Sequence, residues 1–115
     1  MIRRYDPTER DYLARQVQDE RLMAWVDRNW FAPQALIIMD ETGYMIGGLG
    51  QEFDKTTVFC IMDVKGQVKN TIFEQVLFWA KTQGAKAVIA QTKRAKAICR
   101  KYGFHEVATL IRKEL

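Results

Sequence analysis

Residues 92–104 read TKRAKAICRKYGF, and the rest of the chain is organised around this stretch. Thr92 can cap a helix, because its hydroxyl accepts from the first free backbone N–H groups. Ala95, Ile98, Cys99 and Tyr102 then recur at helical spacing and share a face. Lys93, Arg94, Lys96, Arg100 and Lys101 fall mostly on the other face. Gly103 stands where the chain needs a left-handed residue to leave the helix. Phe104 opens an alternating run, and the apolar strand Ala87–Ala90 precedes the helix.

Upstream of that strand, Thr56–Val64 (TTVFCIMDV) is an apolar strand. Asn70 then caps a helix running through Ala80 or Gln83, with Ile72, Phe73, Val76, Leu77 and Ala80 as its apolar stripe. Gly84 stops it. Two strands joined through a helix must lie parallel, with a right-handed crossover. Ala35–Met39 and Tyr44–Leu49 form a hairpin closed by Asp40-Glu41-Thr42-Gly43. Gly47, Gly48 and Gly50 weaken its second strand and mark either a bulge or something lying against the backbone. At the N-terminus, Ile2–Tyr5 is a short strand. Asp6-Pro7-Thr8-Glu9 announces a helix, with Glu9 able to reach back to the cap. Leu13 and Val17 share a face, and Leu22, Trp25 and Val26 belong to a second helix or to a continuation. Asn29–Pro33 breaks it. The crowding of Trp25, Trp30 and Phe31 reads as core packing under a loop, or else as an acceptor or partner groove. Val107, Leu110 and Ile111 belong to a final strand.

The 115 residues make one domain, 1–115, large enough for a core. With 48% hydrophobic and 28% charged residues the composition is globular. No apolar run approaches a membrane span, and MIRRYDPTERDY has no apolar signal core, so the expected location is cytoplasmic, or encapsulated, rather than secreted. Cys60 and Cys99 read as free, buried thiols in a reducing compartment. One histidine, His105, and no Cys/His cluster argue against a metal site. Charge is uneven. Residues 1–63 carry 7 Lys/Arg and 11 Asp/Glu, net −4, and residues 64–115 carry 11 and 3, net +8. The basic half suits an anion, or simply keeps two helix faces soluble. It has no nucleic-acid-binding motif and no interleaved aromatic series, so nucleic acid is not an expected partner.

The strand–helix–Gly-Phe–strand order resembles the end of the GNAT (GCN5-related N-acetyltransferase) superfamily, whose pattern there is N-x-x-A-x-x-x-Y-x-x-x-G-F. Thr92, Ala95, Cys99 and Gly103-Phe104 occupy its positions. The resemblance implies an α/β (α+β) fold: a mixed, mostly antiparallel sheet with one parallel β-α-β unit. It also implies that acetyl-CoA or another acyl-CoA lies where Thr56–Val64 and Ala87–Ala90 splay, with an amine as acceptor. The family's loop pattern is Q/R-x-x-G-x-G/A, against Lys65-Gly66-Gln67-Val68-Lys69-Asn70 here. The implied CoA-binding residues are therefore Val64, Lys65, Gly66, Val68, Lys69, Asn70 and Thr92. Val68 and Asn70 replace small residues, and Cys99 replaces a tyrosine that in many members protonates the departing thiolate. Glu52, Asp54 and Asp63 are base candidates by position, and no catalytic residue is assigned.

Two readings follow. One is an acyl-CoA-dependent N-acyltransferase with an atypical loop. The other is a catalytically inactive GNAT-like structural or interaction protein, working through a protein partner or self-association. The latter resembles the GNAT-like internal virion proteins of short-tailed phages.

Overall fold

The computed structural model describes residues 2–52, 54–66, 70–90, 100, 103–107 and 112–114. Among them, five strands form one sheet in the order β1 (Arg3–Arg4), β2 (Ala35–Met39), β3 (Tyr44–Gln51), β4 (Thr57–Lys65) and β5 (Ala87–Ala90). The first four pair antiparallel, and β4 pairs with β5 in parallel. The helices are α1 (Arg10–Val17), α2 (Glu20–Asn29) and α3 (Asn70–Thr82), the last forming the crossover from β4 to β5. The hairpin, the β-α-β unit and the N-terminal strand therefore stand as the sequence predicts.

Alternation along the strands divides the core between the two faces of the sheet. Ile37, Met39, Tyr44 and Ile46 pack with Leu13, Met23 and Val26 of α1 and α2. Leu36, Ile38, Met45 and Phe59 pack with Phe73, Val76 and Ala80 of α3. α1 and α2 are separate helices. Gln18 takes a left-handed conformation at φ 53°, and the Asp19 carboxylate then accepts from the Arg21 and Leu22 amides at 2.9 and 3.1 Å. Asp6 caps the short 3-10 turn Pro7–Glu9 by accepting from the Thr8 amide. The Glu9 carboxylate, expected to reach back to that cap, accepts instead from the Arg3 guanidinium at 2.8 Å. Trp25 packs against the core, while Phe31 is exposed.

The hairpin turn owes its shape to Asp40. One oxygen of this buried carboxylate accepts from the Thr42 amide, the Thr42 hydroxyl and the Gly43 amide. Arg100 is helical, and Gly103 is left-handed at φ 73°, as the exit from a helix there requires. Phe104 follows and packs against Phe73 of α3, ring centroids 5.9 Å apart. The expected final strand is not seen at Val107, which is exposed and outside any strand. Leu110 and Ile111 lie outside the described residues, as do Thr92 and Cys99.

Candidate functional site

β4 has two halves with different surroundings. Val58–Ile61 lie between β3 and β5, paired in parallel with Ala87–Ala90. The described β5 pairing ends there, at Ile61 and Ala90, whereas β4 continues through Met62, Asp63, Val64 and Lys65 with β3 beside it. Exposure follows the pairing. Val58 and Phe59 are 2% and 0% exposed, and Met62 and Val64 are 40% and 41% exposed. Among the described residues, Met62–Lys65 pair with β3 alone.

A bulge separates the halves. Ile46 faces Asp63 and Gly47 faces Ile61, so Met62 is the extra residue on β4. Phe59 and Ile61 point towards α3, and strict alternation would send Asp63 the same way. The added residue inverts the alternation and turns Asp63 towards the α1–α2 face. There, Asp63 Oδ2 accepts a 2.7 Å hydrogen bond from the Tyr44 hydroxyl, and Oδ1 accepts from the Val64 amide at 3.0 Å. Tyr44 is buried, and its hydroxyl is pushed well above the ordinary tyrosine range. Burial is the largest cause, followed by the hydrogen bond to the Asp63 carboxylate and its charge. The proton therefore stays on the tyrosine oxygen.

Lys65 lies on the same face. Its ammonium donates to the Gln16 carbonyl at 3.2 Å. That carbonyl belongs to the last turn of α1, where unsatisfied carbonyls and the negative helix end favour a cation. Gly66 follows at φ +89°, a conformation that L side chains rarely adopt. It also lies against the hairpin turn, because a Cβ there would strike the Thr42 carbonyl and one on Gly43 would strike the Lys65 carbonyl. Close contact with the turn thus accounts for the glycine at 66.

Of the residues implied for CoA binding, Val64, Lys65 and Gly66 lie together at the C-terminal end of β4. Asn70 is the first residue of α3, within a residue of the expected cap. Val68, Lys69 and Thr92 fall outside the described residues. Of the three base candidates, Asp63 sits in the exposed half of β4. Asp54 accepts from the Thr56 amide in the β3–β4 turn, and Glu52 is exposed just past the end of β3. Cys60 is half-buried rather than buried, and its thiol is pushed up by burial and by the charge of Glu52. His105 is exposed. Tyr44 was not anticipated. Its signal was a tyrosine directly after the turn glycine, in a strand whose next inward residue, Ile46, faces Asp63.

No protein-family model matches the chain, and no curated protein matches it in sequence. Solved structures do match in fold. The aminoglycoside N-acetyltransferase AAC(6')-Iy in complex with CoA aligns over 100% of this chain and 98% of its own, at TM-score 0.78 and 14% identity. The same enzyme in complex with the bisubstrate analogue CoA-S-monomethyl-acetylneamine aligns over 100% and 97%, at TM-score 0.77 and 14% identity. Glucosamine-6-phosphate N-acetyltransferase from Arabidopsis thaliana aligns over 99% and 97%, at TM-score 0.70 and 15% identity. The chain has the fold of the GNAT acetyltransferases. Among the described residues, no helix is long and apolar enough to cross a membrane.

Proposed function

We propose that this protein is an acyl-CoA-dependent N-acyltransferase of the GNAT type, with an atypical phosphate loop. The observation that carries the reading is the outer half of β4, Met62–Lys65, which among the described residues runs past its pairing with β5 and leads towards the start of α3. An extended ligand bearing amides suits such an edge, since it can add strand-like hydrogen bonds. A helix start suits a diphosphate, with free N–H groups and a positive dipole end. The residues that would hold the ligand are Val64, Lys65, Gly66, Val68, Lys69, Asn70 and Thr92. Val68 and Asn70 stand where the family pattern has the small residues that admit the phosphates, and lysines at 65 and 69 would act as point charges beside them, Lys65 on leaving the Gln16 carbonyl. Bound acyl-CoA supplies the activated thioester, and the chain's task is to align the acceptor amine with it.

The alternative is a GNAT-fold structural or interaction protein, such as a virion component, that transfers no acyl group. Its support is Gly66, the one glycine in the loop, which is engaged with the hairpin turn. Thermal unfolding with and without acetyl-CoA separates the two. A ligand that binds only the folded state stabilises it by about 2.7 kcal/mol at a hundredfold excess over Kd. Thiol release with a panel of amines then tests transfer. An unchanged Tm at millimolar acetyl-CoA would leave the interaction-domain reading in place.

A further inference from the structure

We infer that Asp40 is a positioning residue for the phosphate loop, acting through the hairpin turn on Lys65 and Gly66. The inference rests on the acyl-transfer reading above and extends it to a residue outside the loop. Among the described residues, Asp40 alone of the charged side chains is buried, at 6% exposure. Burying a carboxylate is costly unless its oxygens are satisfied. Here Oδ1 accepts from the Thr42 amide at 2.7 Å, the Thr42 hydroxyl at 2.6 Å and the Gly43 amide at 3.0 Å. The Asp40 amide donates to the Gly43 carbonyl at 3.0 Å and closes the turn. A hairpin turn closes without a buried charge when Asn or Gly supplies its conformation. What sets this turn apart is what it touches.

It touches the chain leaving β4, and the peptide plane between Thr42 and Gly43 is the link. In a trans peptide the N–H and the C=O point opposite ways. The Asp40 carboxylate holds the Gly43 N–H, so it directs the Thr42 carbonyl to the other side, where a Cβ on Gly66 would strike it. A Cβ on Gly43 would in turn strike the Lys65 carbonyl and meet the Gly66 Cα at 3.0 Å. Tyr44 pairs with Lys65, so the turn reaches past the last register pair of the two strands. Gly66, at φ +89°, then starts the chain towards Asn70, the first residue of α3. The carboxylate thus sets the Thr42 carbonyl, the carbonyl sets Gly66, and Gly66 sets where the loop begins. A loop preset in this way loses less conformational freedom when it closes on a diphosphate. A charged acceptor holds the turn more firmly than a neutral one would.

The test compares Asp40→Ala, Asp40→Asn and Thr42→Val in the intact protein, with Val26→Ala, which opens the core on α2, as the control. Without ligand, Asp40→Ala should shift the amide NMR signals of Lys65 and Gly66, and Val26→Ala should leave them in place. The dissociation constant for CoA should rise about tenfold or more in Asp40→Ala, the scale of a lost hydrogen bond to a charged group. With an amine that the wild type accepts, KM for acetyl-CoA should rise in step while kcat stays unchanged, since no reacting atom is touched. Asp40→Asn keeps an acceptor oxygen and should recover part of the affinity. Thr42→Val removes one donor and leaves the two amides on the carboxylate. It should show the same changes at smaller amplitude, even where Asp40→Ala does not fold. Val26→Ala should keep the wild-type affinity for CoA despite its lower Tm. Unshifted Lys65 and Gly66 signals, or wild-type CoA affinity, in Asp40→Ala overturn this inference alone; where only Thr42→Val folds, the same results in that variant do so. An equal loss of affinity in Val26→Ala does so too, because it would mark a general effect of lowered stability. A wild type that gives no response to millimolar CoA overturns the acyl-transfer reading, and this inference with it.

Discussion

The two halves of β4 differ in composition and in surroundings: Val58–Ile61 is wholly apolar, whereas Met62–Lys65 alternates apolar with charged residues. Val58–Ile61 is paired on both sides, and Phe59 is wholly buried against Trp79 of α3, ring centroids 5.8 Å apart. Met62–Lys65 is paired with β3, and its apolar side chains stand two-fifths exposed. A single inserted residue marks the change. The comparison teaches that the inner half holds the sheet to α3, whereas the outer half contributes little to the core.

Substitutions in the two halves should therefore differ sharply. The largest loss is expected for Phe59→Ala, about 3–5 kcal/mol in urea unfolding, because it empties the centre of the α3-side core. A loss below about 1 kcal/mol would mean that the inner half is not the anchor. Next comes Gly66→Ala, where a positive-φ position and the nearby Thr42 carbonyl should together cost about 1–3 kcal/mol. Gly84 offers the control, since it has nearly the same φ, +90°, with no atom within 4 Å of an added Cβ. Gly84→Ala should cost less, and equal costs would show that packing on the turn contributes nothing. Val64→Ala should change stability by less than about 0.5 kcal/mol, since the side chain is not part of the core.

The smallest effect is expected on the acid side, away from β4. Hydrogen bonds from the Arg10 guanidinium, at 2.8 and 2.9 Å, hold the Asp27 carboxyl below the usual carboxylate range. A group with a lowered folded-state pKa stabilises above its unfolded value, about 3.9, and loses that contribution as pH falls through the folded value. Asp27→Asn should therefore narrow the difference in urea midpoint between pH 7 and pH 3. No narrowing would mean that this exposed pair contributes nothing, as many surface pairs do not.

Much of the fold was legible because local chemistry and pattern agreed. Asp40 to Gly43 read as a turn, and the Asp40 carboxylate builds it. The strand–helix–strand run from Thr56 to Ala90 left only a parallel crossover. Gly103 read as a left-handed exit and is one. The three strand glycines were read as a bulge or a close approach, and the site shows both. The bulge lies at Ile46/Gly47, and a Cβ on Gly47 would come within 2.5 Å of the Phe59 ring.

The orientation of Asp63 was not legible. In the run TVFCIMDVK, nothing distinguishes Met62 as the added residue, because bulge position depends on the partner strand. Without it the alternation puts Asp63 on the wrong face, and its pairing with Tyr44, 19 positions earlier, cannot be foreseen. The separation of α1 from α2 was equally hidden, since glutamine is an uncommon residue at positive φ.

The most direct test of the account is an amide NMR titration of the intact protein with CoA. Shifts are expected at Met62 to Lys65 and at the start of α3, with the paired half, Val58 to Ile61, moving little. An absence of shifts at millimolar CoA, or shifts confined to β1 and the α1–α2 helices, would contradict it.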